Sequence, residues 1–432
     1  MDRRVRPNTA TWTPDVYFVH VDRALSRPGL TAVPFDHTKL RAALFLYALL
    51  YDSIVIPDGA TIYNAVLRDL LLGPEYTRFG VEQLLRDEIV EFAQRDNAPS
   101  FEQLEQTLRR DGAWGVTEPG QIEPYLEYLD RLNPKRRPYS YDDAATRFTT
   151  GIGSSLENDV LMQRLGLGEI AEAAAIHEAA ARGAVEDGYA RRSSLYRFAD
   201  ELGEPSPAAR LRELASLVYH ESAATALNLD PTYPAQFSAC VEAVHGLPLK
   251  AIPGQASSPE DVVKLGLAFP FEAMAKIDYR VIHDIRRSSR FGSWLSEVRQ
   301  CREESDTAKA AERFMAALSD HLASLDGPLM HAIYGRYARQ RSLKTGATIV
   351  RWGSRGLSAS SLVVGLVGGN PVLGLSASAF WLFGPWSVSH WIESHQRAED
   401  FDARAAKIRG RLAPIVHAST VSTGTSGDQT AS

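Results

Sequence analysis

The stretch Asp52-Ser53-Ile54-Val55-Ile56-Pro57-Asp58-Gly59 decides how the first part of this chain folds. Its β-branched run favours an extended backbone, and Pro-Asp-Gly ends that run with turn chemistry. Upstream, Val16-Tyr17-Phe18-Val19-His20-Val21 reads as another strand, stopping at Asp22. Between the two, Leu40, Ala43, Leu44, Tyr47 and Leu50 keep the spacing of one buried helical face, which predicts a helix over 38–50. A connection holding a helix is long enough for a crossover, so a small parallel sheet is expected. Asp58 stands just past a strand end, where α/β proteins place functional acids. With no partner acid or lysine at a recognisable distance, it reads as a turn former.

Downstream the pattern turns helical, with helices expected at 61–72, 81–95, 100–110 and 121–132. Ser100 and Gln103 are spaced as a capping box for the third. Asn133-Pro134-Lys135-Arg136-Arg137-Pro138 reads as a linker, because two prolines bracket three cations. It closes an N-terminal α/β section over 1–133. A helical domain is expected over 139–326, with an Ala/Glu/Arg stretch from Gly168 to Glu201, a break at Glu204-Pro205-Ser206-Pro207, and four or five helices after it. Strand candidates there lie near 247–253 and 265–271. A C-terminal helix is expected at 393–418, and the Ser/Thr/Gly-rich residues 419–432 read as a disordered tail. The expected class is mainly α (α+β): a large helical part, a small N-terminal α/β section and a C-terminal apolar helical hairpin.

Composition narrows function by exclusion. With 432 residues, 44 % hydrophobic and 23 % charged, the chain fits neither wholesale disorder nor a fibrous repeat. A net charge of -6 argues against a nucleic-acid binder, and two cysteines supply neither a disulfide framework nor a four-thiolate zinc site. The start, Met1-Asp2-Arg3-Arg4-Val5-Arg6, lacks the apolar core of a secretory signal, so a cytoplasmic location is expected. Arginine supplies 39 of the 47 cations and alanine is abundant, a bias that points to a GC-rich bacterial genome.

One segment departs from this average. Residues 327–392 contain no Asp or Glu, and their six cations, Arg336, Arg339, Arg341, Lys344, Arg351 and Arg355, all lie in the first half. Over 356–392 there are 37 residues without Asp, Glu, Lys or Arg. A water-facing surface rarely leaves so long a span uncharged. Gly368-Gly369-Asn370-Pro371 cuts it, Asn370 suiting an N-cap and Pro371 a first helical position. The second arm, 371–392, is about 33 Å long as a helix, against a hydrocarbon core of about 30 Å. The first arm spans only if Arg351 and Arg355 snorkel.

A hairpin over 356–392 behind a basic neck at 327–355 is therefore expected. Leu362, Val363, Val364, Leu366, Phe380, Trp381, Leu382, Phe383, Trp386 and Trp391 would contact lipid. Ser361, Gly365 and Gly369, with Gly374 and Ser378, form small-residue stripes that let helices approach. Four of the seven tryptophans (Trp352, Trp381, Trp386 and Trp391) fall in this segment, as interfacial anchors do. The six cations would hold anionic head groups and keep the neck on the cytoplasmic side. Against lipid stand the Ser/Gly content and Gly384-Pro385, which also suit a hairpin buried in a soluble helical core or one that docks on a protein.

Motifs for catalysis are weak. His283-Asp284 suggests a helical metal phosphohydrolase, but no spacing enlists a second His or further Asp, although His220, His245 and Asp320 are available. His177-Glu178 and His220-Glu221 lack the second His four positions on, where Ala181 and Ala224 stand. Gly151-Ile152-Gly153-Ser154-Ser155 and Gly166-Leu167-Gly168 lack a following Gly-Lys-Ser/Thr and read as caps or turns. Cys240 and Cys301 read as buried free thiols.

The expectation is a non-enzymatic bacterial protein at the inner face of the cytoplasmic membrane, needing no cofactor or metal. Lipid is its expected partner, with a protein partner or self-association besides, and no nucleic acid. Alternatives are a soluble hydrolase or nucleotide-using enzyme with the hairpin in its core, and a soluble scaffold docking through the hairpin.

Overall fold

The computed structural model describes residues 14–21, 37–111, 119–202, 205–232, 238–245, 271–304 and 307–342. The chain is mainly helical with a small parallel sheet, and it divides into two compact units. Of the described residues, one unit combines those within Thr11–Leu40 and Leu50–Pro253; the other combines Arg41–Leu49 with those from 271 onward.

The first unit carries the sheet. Its strands are β1 (Asp15–Phe18), β2 (Ser53–Ile56), β3 (Val90–Arg95), β4 (Arg136–Tyr139) and β5 (Asp230–Thr232). They run in the order β4-β3-β2-β1-β5, all neighbours parallel. The expected strands near residues 16 and 54 are β1 and β2, and they pair with Val16 opposite Ile54. Between them lies α1 (His37–Ala48), as its apolar spacing predicts.

Alternation along the strands gives the sheet two different faces. Tyr17, Val55 and Ala93 share one face and sit in a core with residues of α7 (Tyr141–Leu156) and α11 (Pro205–Ala226). Gly151 of α7 lets these helices close in, since a Cβ there would lie 2.9 Å from Val218 Cγ1. At the amino ends of the same face, Arg137 reaches Glu91 Oε2 at 2.7 Å and Oε1 at 3.1 Å, and donates to Ser53 Oγ at 2.9 Å. Glu91 is only 1 % exposed, and Lys135 Nζ adds a second cation 3.1 Å from Oε1; together the two cations let a carboxylate stay inside. On the other face Phe92 packs edge-on against Phe101, the first residue of α5 (Phe101–Arg110).

Two expectations are corrected here. Residues 81–95 are not one helix: α4 (Glu75–Arg86) ends, the chain turns, and β3 begins at Val90. Glu88, at φ 58°, takes the left-handed position, while Glu88 N and Ile89 N donate to Leu85 O and Leu84 O. That is a Schellman stop with glutamate where glycine is usual, so the sequence carries no stop signal. The supposed linker at 133–138 runs into β4, which takes up Arg136, Arg137 and Pro138. Pro138 is tolerated because β4 is an edge strand, where a missing N–H costs no inner ladder bond.

The single helix expected over 61–72 is two: α2 (Asp58–Tyr63) ends at Asn64, whose side chain accepts from Leu67 N and caps α3 (Ala65–Leu72), whereas α5 and α6 (Pro119–Leu132) match the helices expected at 100–110 and 121–132. Gly151 and Gly153 lie inside α7 rather than before a helix, whereas Gly166, at φ 68°, ends α8 (Asp159–Arg164) as a cap. α9 (Ala171–Gly183) and α10 (Arg192–Glu201) occupy the Ala/Glu/Arg stretch. The Ser100 capping box is complete: Ser100 Oγ accepts Gln103 N at 3.1 Å and Gln103 Oε1 accepts Ser100 N at 3.2 Å. Ser100→Ala is expected to cost about 1 kcal/mol, read as a lower urea midpoint at unchanged m-value.

After α12 (Ser238–His245), the second unit packs α13 (Tyr279–Arg286), α14 (Ser289–Glu303) and α15 (Thr307–Ser342) with residues 41–49. The carbonyls that end α1 are served by side chains. Arg286 Nη1 donates to Ala48 O at 2.5 Å, and His321 Nε2 lies 2.7 Å from Leu49 O. His321 also stacks on Trp294 at 4.8 Å, with the rings 3° from parallel. Burial pulls its pKa down to about 4 against the pull of the Leu49 carbonyl. The strand candidates at 247–253 and 265–270 lie outside the described residues, as do the helix expected at 393–418 and the tail after it.

Candidate functional site

A parallel sheet brings the carboxyl ends of its strands to one edge, and loops leaving that edge are where such folds bind ligands. Here three strands deliver polar side chains to it. Arg95 ends β3, Tyr139 ends β4, and Asp58 follows β2 by two residues, in the first turn of α2. From α11 comes Tyr219, about one turn past Ala215 on the helix that backs the sheet.

These groups converge on Asp58, which is 1 % exposed. Its Oδ2 accepts from Tyr139 OH at 2.6 Å and Arg95 Nε at 2.5 Å. Its Oδ1 accepts from Gly59 N at 2.6 Å and Tyr219 OH at 3.3 Å. Arg95 continues outward, donating from Nη1 to Asp111 Oδ2 at 2.9 Å and from Nη2 to Tyr219 OH at 3.3 Å. Its guanidinium lies 4.8 Å from the Tyr141 ring centre. Beyond Asp111 stands Arg191, 3.7 Å from Asp111 Oδ1 and 2.5 Å from Asp187 Oδ2. Arg192 rides 4.4 Å over the ring of Tyr219.

Electrostatics fix the protonation states. Burial alone would raise the Asp58 carboxyl, but the Arg95 charge and the hydrogen bonds from Tyr139, Arg95 and Gly59 outweigh it and hold the pKa below the usual value. Tyr139 and Tyr219 are pushed up by burial and by the Asp58 charge. At neutral pH the centre is therefore a carboxylate and a guanidinium with neutral phenols as donors. Asp58, with four donors on two oxygens and a depressed pKa, is a poor proton acceptor. Its work is to hold Arg95, Tyr139 and Tyr219 in place.

Those three side chains form part of the wall of a partly open cavity of about 80 Å³. Arg191, Arg192, Tyr141 and Asp111 complete its polar side; Ala144, Ala145, Phe148 and Ala223 line the rest, which is mostly carbon. Asp58 stands just past a strand end, as expected, but it is the hub of this cluster rather than only a turn former. Its partners lie 37, 81 and 161 positions away, so spacing carries no signal.

The expected lipid-contacting and helix-packing residues (Ser361 to Trp391) lie outside the described residues, as do Lys344, Arg351 and Arg355. Arg336, Arg339 and Arg341 fall on the closing turns of α15. Among the described residues no helix is long and apolar enough to cross a membrane. His283 Nδ1 lies 3.6 Å from Asp284 Oδ1 on α13, with Asp284 81 % exposed, and no group of three metal-type ligands occurs among the described residues. His177 Nε2 sits 3.1 Å from Ser194 O, and His220 packs against Tyr17 and Tyr219. Cys240 is buried and Cys301 half-buried, and burial raises both thiol pKa values. No protein-family profile, curated protein or solved structure matches this chain.

Proposed function

We propose that this chain is a non-enzymatic bacterial protein that attaches to or perturbs the cytoplasmic membrane through residues 356–392, while the folded part ahead of them recognises a partner or signal. The observation that carries this reading is the run of 37 residues without Asp, Glu, Lys or Arg, cut once by Gly368-Gly369-Asn370-Pro371. Each charge placed at a bilayer centre costs about 3 kcal/mol on insertion scales, so a run free of them removes the main barrier to entering lipid. Support comes from the order of features along the chain. α15 runs to Ser342 with three arginines in its closing turns, and Lys344, Arg351 and Arg355 follow before the uncharged run begins. Six cations on that flank suit an anionic leaflet, each worth about 1 kcal/mol.

Vesicle flotation tests the reading. The full chain is expected to float with vesicles containing anionic lipid, and the same chain lacking 356–392 to stay at the bottom. Dye release from those vesicles separates a perturbing protein from an anchor. Full-length protein that stays unbound in folded form would overturn the proposal. A second reading, a soluble enzyme with the run inside its core, draws on the cavity at the sheet edge. That cavity, about 80 Å³, is small and partly open, and among the described residues no group of three metal-type ligands lines it.

A further inference from the structure

We propose that the cavity at the carboxyl edge of the sheet binds a small neutral organic molecule, a compact carbon body carrying one hydrogen-bond-accepting oxygen, as in a short ketone. The charges around the cavity already answer one another. Three guanidiniums, of Arg95, Arg191 and Arg192, stand with three carboxylates, Asp58, Asp111 and Asp187. Arg95 donates to Asp58, Asp111 and Tyr219, and Arg191 is shared between Asp111 and Asp187. Arg192 lies over the Tyr219 ring at 4.4 Å, with Nη1 3.5 Å from His220 Nε2. The hydroxyls of Tyr139 and Tyr219 are turned to Asp58, and Ser193 Oγ donates to Asp111 O at 3.1 Å. An ion of either sign would have to break a partly buried pair to find a counter-charge, which is costly.

What remains for a ligand is carbon and one hydroxyl. Ala144, Ala145 and Phe148 of α7 and Ala223 of α11 supply a lining that is mostly carbon. Water is well held only with about two to four polar partners, and the wall's polar groups are engaged with one another. Poorly held water is displaced favourably by carbon, which gains contact with the lining. The hydroxyl is that of Tyr141, the first residue of α7 and part of the wall. Its ring meets the Arg95 guanidinium at 4.8 Å and Tyr189 edge-on at 6.2 Å, while its oxygen makes no hydrogen bond among the described residues. Burial and the Asp111 charge keep this phenol protonated, so it is a donor awaiting an acceptor. An apolar cavity of about 150 Å³ takes benzene; about 80 Å³ limits the body here to about three to five carbons. The cavity lies wholly within the sheet-bearing unit, so the inference is independent of the surface that residues 356–392 meet.

The test uses the full chain and ligand-observed saturation-transfer NMR, with 2-butanone, 2-methyl-2-butene, butyrate and butylammonium as probes. The ketone and the alkene are expected to bind saturably at or below about 10 mM, and the two ions at least about tenfold more weakly. Ala145→Leu is expected to abolish binding of both neutral probes by filling the cavity. Tyr141→Phe is expected to weaken the ketone about fivefold and to leave the alkene unchanged, a split that disturbed packing would not produce. Circular dichroism melts show whether each variant is folded. Tyr141→Phe removes one oxygen that bonds nothing in the described fold, so it keeps the test open should Ala145→Leu fail to fold. Three results would overturn the proposal: no saturable binding of ketone or alkene, either ion binding as well as the ketone, or ketone binding unchanged in Tyr141→Phe or in folded Ala145→Leu.

Discussion

Replacing Asp58 by asparagine is expected to lower the stability of the sheet-bearing unit by about 3–5 kcal/mol, the scale for removing one partner of a buried ion pair. The substitution is nearly isosteric, so the loss does not come from a cavity. It comes from Arg95, which stays 4 % exposed and keeps Asp111 at 2.9 Å but loses its closest counter-charge. An amide also turns an NH₂ toward donors that now need acceptors, the hydroxyls of Tyr139 and Tyr219 or the Arg95 guanidinium. Hydrogen exchange of the β2 and β3 amides localises the effect to this unit. Adding Arg95→Met should recover part of the loss, because the orphaned charge goes with it; losses that simply add would show that the pair is not coupled.

The pH dependence has a defined sign. The Asp58 pKa is lower folded than unfolded, so its contribution is complete above the unfolded value of about 3.9 and fades as pH falls through the folded value. Wild-type protein should thus lose stability in this unit below about pH 4, and the Asp58→Asn variant should lack that component.

His321 is expected to produce the second large effect, in the other unit. Its pKa falls from 6.5 to about 4 on folding, which corresponds to about 3 kcal/mol. A depressed histidine stabilises the fold fully above the unfolded value, and the contribution declines as pH drops from about 6.5 to about 4. The geometry explains the direction. Nε2 already serves the Leu49 carbonyl at 2.7 Å, while Nδ1 is buried without a hydrogen-bond partner among the described residues, so a second proton has nowhere favourable to point. At pH 4.5 the α14 and α15 amides should exchange as though about 2–3 kcal/mol of protection had gone, relative to pH 7. His321→Gln keeps a donor for Leu49 O and does not titrate. It should flatten this dependence at the cost of the Trp294 stack, about 1 kcal/mol. An equally steep decline in that variant would place the titrating group elsewhere.

The fold is legible where one residue type dictates one local outcome. β-branched runs mark β1 and β2, apolar spacing marks α1, and Ser100 with Gln103 marks the start of α5. It is illegible where the deciding contact is remote or the residue unusual. Glu88 ends a helix in a conformation normally left to glycine, and nothing in its neighbourhood announces β3. Arg137 looks like a linker cation until Glu91, 46 positions earlier, lies beneath it. The same limit hides the site: Asp58 is visible as an acid after a strand, but Arg95, Tyr139 and Tyr219 join it only through the parallel order of the sheet and the packing of α11. The charge pattern of 327–392, by contrast, is a property of sequence alone, and the membrane proposal rests on it.

Spin labels placed singly at Val364 and Leu382, in full-length protein whose Cys301 is replaced by serine, test that proposal most directly. Cys240 is fully buried and need not be changed. With vesicles present, both labels should become accessible to oxygen while shielded from a water-soluble nickel complex, and without vesicles that signature should vanish. Labels shielded from both quenchers, with and without vesicles, would mean that polypeptide and not lipid surrounds the uncharged run.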